Sequence, residues 1–133
     1  MTKYFIILAV IVWILTSSCT VAFFDEESYR SFAYTKPEVS ACIKGFTNLT
    51  YDTNQFNYLN LRMVQMYEYE KGKKDNIETT KQMEITYSIF TNYMYLREYQ
   101  TNGWSPAITS IRAKIIESAF DILMKTEQLK TRR

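Results

Sequence analysis

Histidine is absent from this chain of 133 residues. Histidine is the usual general base near neutral pH and the commonest protein ligand for metals, so its absence excludes Ser-His and Cys-His hydrolases and argues against a metal site. The sequence also shows no glycine-rich phosphate loop and no pair of cysteines at metal-binding spacing. We therefore predict that the protein is not an enzyme and needs no cofactor.

Glycine and proline are scarce, at 3 and 2 residues. So few turn-forming residues cannot separate many short strands. Hydrophobic residues make up 47% of the chain and aromatic residues 16%, a composition typical of one globular domain at this length. The formal net charge of +2 is too small to indicate nucleic-acid binding. These totals predict a single all-α domain.

The first 22 residues have the layout of an export signal. Lys3 gives a positive start, Tyr4–Leu15 is an apolar run, and small polar residues follow it. Cleavage after Ala22 would leave a soluble helical domain over 23–133. Cleavage after Ser18 (signal 1–18) would instead leave Cys19 first, as the candidate lipidation site of a bacterial lipoprotein.

An uncleaved anchor is the third alternative for this segment. Residues 4–24 carry no charge and are just long enough to span a bilayer, although their second half is rich in Ser and Thr. In a bacterial cell all three alternatives place 25–133 outside the cytoplasm, in the periplasm or on an outer-membrane lipoprotein facing it. A membrane is a partner only if the chain is lipidated or uncleaved.

Five helical pieces are predicted after the signal. They cover 25–35, a stretch from Pro37 to about residue 47, Asn54–Glu70, Ile77–Tyr99, and a last helix with Ser105 as N-cap and Pro106 as its first residue. The connections between them are short, so the expected architecture is a compact bundle of four to five helices.

Apolar residues spaced three and four apart mark the faces that we expect to be buried. On the fourth piece they form two rows, and on the fifth they form one long stripe. The rows are Ile85, Ile89, Tyr93, Leu96 and Tyr87, Phe90, Met94; the stripe is Ile108, Ile111, Ile115, Ala119, Ile122, Leu129.

Cys42 lies on a stripe with Val39, Ile43 and Phe46, which predicts a buried thiol. In an oxidising compartment a lone thiol is unusual. A bridge to Cys19 or an intermolecular bridge therefore remains open. With no histidine to activate it, Cys42 is not expected to be a nucleophile.

Tyr95, Tyr99 and Trp104 are the candidate partner-binding aromatics, because Tyr and Trp are enriched where protein interfaces are strongest. Filling the core is the alternative use of such residues. Lys73 and Lys74 could meet an acidic surface, or they could simply end a helix in solvent.

The segment "SYRSFAYTKPEVSACIKGF" (28–46) leads to the pair Cys42-Ile43, "YLREY" holds Tyr95, Leu96 and Tyr99, and "FDIL" spans Phe120 to Leu123. In these features residues 25–130 resemble the immunity proteins of type VI secretion amidases. The resemblance implies a periplasmic, all-helical homodimer that inserts a protruding segment into the cleft of a peptidoglycan-cleaving amidase and blocks it. The candidate segments are "EKGKKDN" and "QTNGWSP".

One position departs from the family pattern. The family's early cysteine is expected to pair with a cysteine in the last helix, where this chain has Ala119. The resemblance therefore implies packing of Cys42 near Ala119 without the bond. The alternative function is an envelope lipoprotein or secreted helical protein with a structural or interaction role and no enzyme target.

Overall fold

A computed structural model describes residues 22–132, so residues 1–21 of the predicted signal segment, including Cys19, lie outside the described residues. Four α-helices fill most of this range, and no strand is present within it. They are α1 Glu26–Lys44, α2 Thr53–Gly72, α3 Ile77–Tyr99 and α4 Pro106–Gln128. The predicted compact all-α fold is confirmed.

Three of the helices begin at side chains that cap them. The Oδ1 atom of Asp25 accepts from the backbone N–H of Glu27 at 2.9 Å, and Asp52 accepts from Asn54 at 2.9 Å. The Ser105 hydroxyl accepts from the N–H of Ile108 at 3.3 Å, and Pro106 is the first helical residue. These contacts satisfy N–H groups that have no partner inside the helix.

The separation of the first two predicted pieces is wrong, because α1 runs without a break through Pro37. Proline inside a helix removes one hydrogen bond and typically costs about 3 kcal/mol. Burial on both sides of the proline offsets this, since Phe32, Val39 and Ile43 are all 0% exposed. Tertiary packing therefore overrides the local helix-breaking signal.

The helices form a ring in which each one packs against the next and α4 packs against α1. Thr35 of α1 contacts Met66 of α2, and Tyr87 of α3 donates to Asn60 of α2. Thr79 of α3 donates to Glu127 of α4, whereas Lys36 near the middle of α1 pairs with Asp121 of α4. Neighbouring helices are antiparallel, so the bundle has two ends.

We call these the terminal end and the loop end. The terminal end contains residues 22–25, the α2–α3 loop 73–76 and residues 129–132. The loop end contains the α1–α2 connection 45–52, which begins with a short 3-10 turn at Gly45–Thr47, and the α3–α4 loop 100–105. The two loops pack tightly there, because a Cβ on Gly103 would lie 2.1 Å from the Thr47 carbonyl oxygen.

The core runs along the bundle axis between the two ends. All four helices and the α3–α4 loop contribute to it. Its members are Phe32, Val39, Cys42, Ile43, Phe46, Leu59, Met63, Met66, Met83, Phe90, Tyr93, Met94, Trp104, Ala113, Ile116, Phe120 and Leu123.

The predicted buried stripe of the last helix is wrong. Of its six residues only Ala119 is buried, and α4 instead packs Ala113, Ile116, Phe120 and Leu123 into the core. On α3 the prediction is partly right, because Phe90, Tyr93 and Met94 are buried whereas Ile85 is exposed.

Candidate interaction surface

Four isoleucines form an apolar strip on the outside of α4, which we call the isoleucine face. Ile108, Ile111, Ile115 and Ile122 are 43%, 59%, 45% and 49% exposed. Exposed β-branched side chains that repeat along one helix are unlike isolated apolar surface residues, and contiguous apolar patches of this kind mark interaction sites.

The sequence contains two apolar stripes on α4, and this explains the error in the predicted core. Both stripes follow the three- and four-residue spacing of a helix. The stripe that is buried carries the bulky Phe120 and Leu123, which are 0% exposed. The other stripe is flanked by the charged side chains of Lys114 and Asp121, which remain exposed.

The second exposed apolar feature is the tyrosine pair, Tyr95 and Tyr99 on α3. Their side chains are 56% and 73% exposed, and their ring centroids lie 4.5 Å apart. A hydrogen bond between the two hydroxyls raises the pKa of Tyr95. Beside Tyr95 lies an open groove of about 560 Å³, lined also by Ser88, Ile89, Thr91 and Asn92. Both tyrosines, which are predicted partner-binding residues, are thus exposed on the surface of the bundle.

Trp104 is the third predicted binding aromatic. The prediction that it lies on the surface is wrong, because Trp104 is only 3% exposed. Its ring meets Phe46 edge to face at a centroid distance of 5.2 Å. The guanidinium of Arg112 lies 3.9 Å from the centre of the Trp104 ring, a cation–π contact. Trp104 closes the loop end of the core.

Lys73, predicted to meet an acidic partner surface, instead has acidic and hydroxyl partners within the fold. Its Nζ lies 2.7 Å from Glu70 and 3.2 Å from Asp25, and it donates to the Ser28 hydroxyl at 2.6 Å. Lys74 is exposed, as predicted for a surface contact. The α2–α3 loop is therefore fixed to the bundle through Lys73.

Two buried carboxylates at the terminal end were missed by the sequence reasoning. Glu70 is 1% exposed and Glu127 is 0% exposed. Glu127 accepts from the backbone N–H of Asp25 at 2.7 Å and from Thr79 at 3.3 Å, and it pairs with Lys130. The signal for Glu127 was its position, since it continues the buried α4 stripe four residues after Leu123.

Glu70 has an equally complete set of partners. It accepts from Asn76 at 2.6 Å and from Ser28, besides its pair with Lys73. The oxygens of both buried carboxylates are thus engaged within the fold, and they link the start of α1 and the end of α4 to the α2–α3 loop. This arrangement explains the two acids as structural groups.

The contacts at the terminal end shift the pKa values of Asp25 and Tyr69. Burial tends to raise the pKa of Asp25, but the Tyr69 hydroxyl and the Lys73 ammonium outweigh it and lower that pKa below its usual value. In turn the hydrogen bond to Asp25 raises the pKa of Tyr69 to about 12.

Cys42 forms no disulfide within residues 22–132 and is 5% exposed, so its predicted burial is confirmed. Burial, with a smaller effect from Asp52, raises its pKa to about 11. A thiol with this pKa is almost wholly protonated at neutral pH and is a poor nucleophile. Cys19, the other cysteine of the sequence, lies outside the described residues.

A cavity of about 500 Å³ opens at the terminal end. Its walls come from the start of the described chain, the α2–α3 loop and the end of α4, and include Ala22, Asn76, Thr79, Leu129 and Lys130. In the range 22–132 no cluster of three or more metal-ligating side chains occurs. Within the same range no helix is long and apolar enough to cross a bilayer.

Compared with protein families, with curated proteins and with solved structures, the chain matches none of them.

Proposed function

We propose that this chain is an exported, non-enzymatic binding protein that occludes the active site of a peptidoglycan amidase, in the manner of a periplasmic immunity protein. The observation that carries the binding role is the tyrosine pair, which is exposed and does not belong to the hydrophobic core of the bundle. Tyrosine provides a large, stiff contact area with a polar tip, and it is among the residue types that dominate interface energetics.

The adjoining loop supports the same surface. Gly103 and Trp104 are held against the α1–α2 connection, and the backbone N–H of Trp104 donates to the Phe46 carbonyl at 2.8 Å. Residues 100–102 remain exposed beyond this anchor. A segment that is exposed but fixed at its base binds at a low entropic cost. Of the two candidate segments, "QTNGWSP" is thus better suited than "EKGKKDN" to enter a cleft.

The amidase as target rests on the resemblance of residues 25–130 to the immunity family. The departure at Ala119 is compatible with this proposal, because Cys42 and Ala119 are both buried, at 5% and 9% exposure, on helices that pack along each other. Small side chains can maintain a helix–helix contact without a covalent bond.

The test uses a peptidoglycan amidase, chosen first from any that is encoded next to this chain. The purified protein should form a stable complex with that amidase and abolish its cleavage of peptidoglycan. Replacing both Tyr95 and Tyr99 with Ala should weaken inhibition about 100-fold, a loss of about 2.7 kcal/mol of binding energy.

The matched control is Tyr34→Ala on α1, since Tyr34 is 65% exposed and lies away from the tyrosine pair in sequence. This variant should inhibit like the wild type, and all variants should keep the wild-type melting temperature. An amidase that stays fully active in excess wild-type protein contradicts the proposed target. Inhibition that survives loss of both tyrosines contradicts the proposed surface.

A further inference from the structure

The isoleucine face continues the pattern of a coiled-coil seam. Along the outside of α4 the seam positions are 108, 111, 115, 118, 122 and 125, with alternating steps of three and four residues. Their occupants are Ile, Ile, Ile, Ser, Ile and Lys, and all of them are exposed. Helices with apolar residues at this spacing associate by knobs-into-holes packing.

The charges beside the seam indicate what covers it. A helix that lies on a membrane carries predominantly basic residues on its polar face. Here one flank of the seam carries Lys114 and then Asp121, one full heptad apart and of opposite sign. Such a flank is complementary to itself when two copies run in opposite directions. We infer that α4 forms a homodimer by packing antiparallel against α4 of a second copy.

One register satisfies both the seam and the helix length. Antiparallel coiled coils place the two kinds of seam position opposite each other, so Ile111 faces Ile122 of the second copy and Ile115 faces Ser118 of the second copy. Ile108 then meets the aliphatic stem of Lys125 at each end. In this register residues 106–127 of the two copies, nearly the whole of Pro106–Gln128, overlap over about 33 Å.

The flanking charges select this register against its neighbours. Lys114 of each copy lies beside Asp121 of the other, which gives two attractive pairs. A shift of one heptad in one direction sets Asp121 against Asp121, and a shift in the other sets Lys114 against Lys114. Like charges brought together in this way act against the alternative pairings.

The bundle leaves room for these contacts. Lys36 donates to the Oδ1 atom of Asp121 at 2.5 Å, so Oδ2 can accept from Lys114 of the second copy. A parallel pair would instead set Lys125 against Lys125 inside the seam. The tyrosine pair lies on α3, outside the seam. The proposed dimer therefore does not depend on whether the proposed amidase target is correct.

The first test measures the mass of the protein, expressed from the full sequence, over a concentration series by sedimentation velocity. The wild type should dimerise, and Ile111→Glu should raise the dissociation constant at least 100-fold. The matched control is Leu61→Glu on α2, the helix diagonally across the ring from α4. Leu61 is 57% exposed and Ile111 is 59% exposed, so both variants should fold, and only the second should dimerise like the wild type.

The second test addresses the register. Lys114→Glu and Asp121→Lys should each weaken self-association, because each creates like-charge pairs at both sites. Mixed in equal amounts, the two variants should form a heterodimer, since every pair then joins opposite charges. A wild type that stays monomeric up to hundreds of micromolar overturns the dimer, as does normal dimerisation of Ile111→Glu. Failure of the mixture to associate more tightly than either variant overturns the register.

Discussion

At the terminal end the buried carboxylates Glu70 and Glu127 pair with Lys73 and Lys130. At the loop end the buried cation Arg97 has no carboxylate partner among residues 22–132. Arg97 is 2% exposed. Its Nη2 donates to the carbonyl oxygens of Asn48 at 2.6 Å and of Leu49 at 3.0 Å, and its Nη1 donates to the Gln100 carbonyl at 2.6 Å. Its guanidinium also lies 5.1 Å from the Tyr51 ring centre.

The difference shows two ways to bury charge in a small helical bundle. At the terminal end, opposite charges neutralise one another and join three segments distant in sequence. At the loop end, a planar cation satisfies carbonyl groups that two loops leave unpaired, and the ring of Tyr51 lies over it. The first arrangement depends on every carboxylate being present, and the second depends on the fork geometry of arginine.

The largest effect is expected from Glu127→Ala. This change leaves the Lys130 ammonium, 8% exposed, without its carboxylate, and it removes the acceptor for the Asp25 N–H. Loss of one partner from a buried pair typically costs about 3–5 kcal/mol. Urea unfolding should show this loss as a lower midpoint.

Two further variants control this measurement. Glu68→Ala removes an exposed carboxylate whose pair with Lys71 spans 3.7 Å, and it should cost less than about 1 kcal/mol. Glu127→Gln keeps the acceptor and should lose less than Glu127→Ala. Equal stability of the Glu68 and Glu127 alanine variants would contradict the buried pair.

A smaller effect is expected from Arg97→Lys at the loop end. The charge is kept, but an ammonium cannot reach three carbonyl oxygens in the same plane. We expect a loss of about 2–3 kcal/mol in the free energy of unfolding, as two hydrogen bonds from a charged donor are lost. Arg30→Lys, at an exposed i,i+4 pair with Glu26, should change stability by less than about 0.5 kcal/mol. If the two replacements cost the same, the carbonyl contacts of Arg97 are not stabilising.

The smallest effect is expected from acid at the terminal end, through the carboxylate of Asp25. The folded-state pKa of Asp25 is lowered from 3.8, so its contribution is present above that pH and is lost as the pH falls below it. Asp25→Asn keeps the helix cap but removes the charge. The stability gap between this variant and the wild type should be under about 1 kcal/mol near pH 5 and should narrow near pH 3. A gap that is independent of pH would show that the charge of Asp25 is not involved.

Helix existence and most helix ends could be read from local sequence. The predicted bounds of α3, Ile77–Tyr99, are those of the structure, and the start of α4 at Ser105 and Pro106 is also correct. A cap acts within a few residues of its own position, so its signal is local. Pro37 shows the limit of such signals, because the burial of Phe32 and Val39 outweighs it.

The candidate surface was harder to predict. Tyr95 and Tyr99 are exposed, as a partner-binding role requires, whereas Trp104 is buried. All three are aromatic residues near the end of α3, and only the docking of the α3–α4 loop onto Phe46 separates them. Such docking joins residues 46 and 104, and no local pattern reports it.

The sequence by itself determined that this chain forms helices, where most of them begin, and that Cys42 is buried, because spacing and capping are properties of neighbouring residues. Only the tertiary structure decided which stripe of α4 faces inward, since both stripes have helical spacing and either could be buried alone. The orientation of α4 is set by its packing against α1 and α3, which buries Phe120, Leu123 and Glu127 and leaves Glu127 paired with Lys130. The isoleucines that remained outside became the exposed face from which the dimer is inferred.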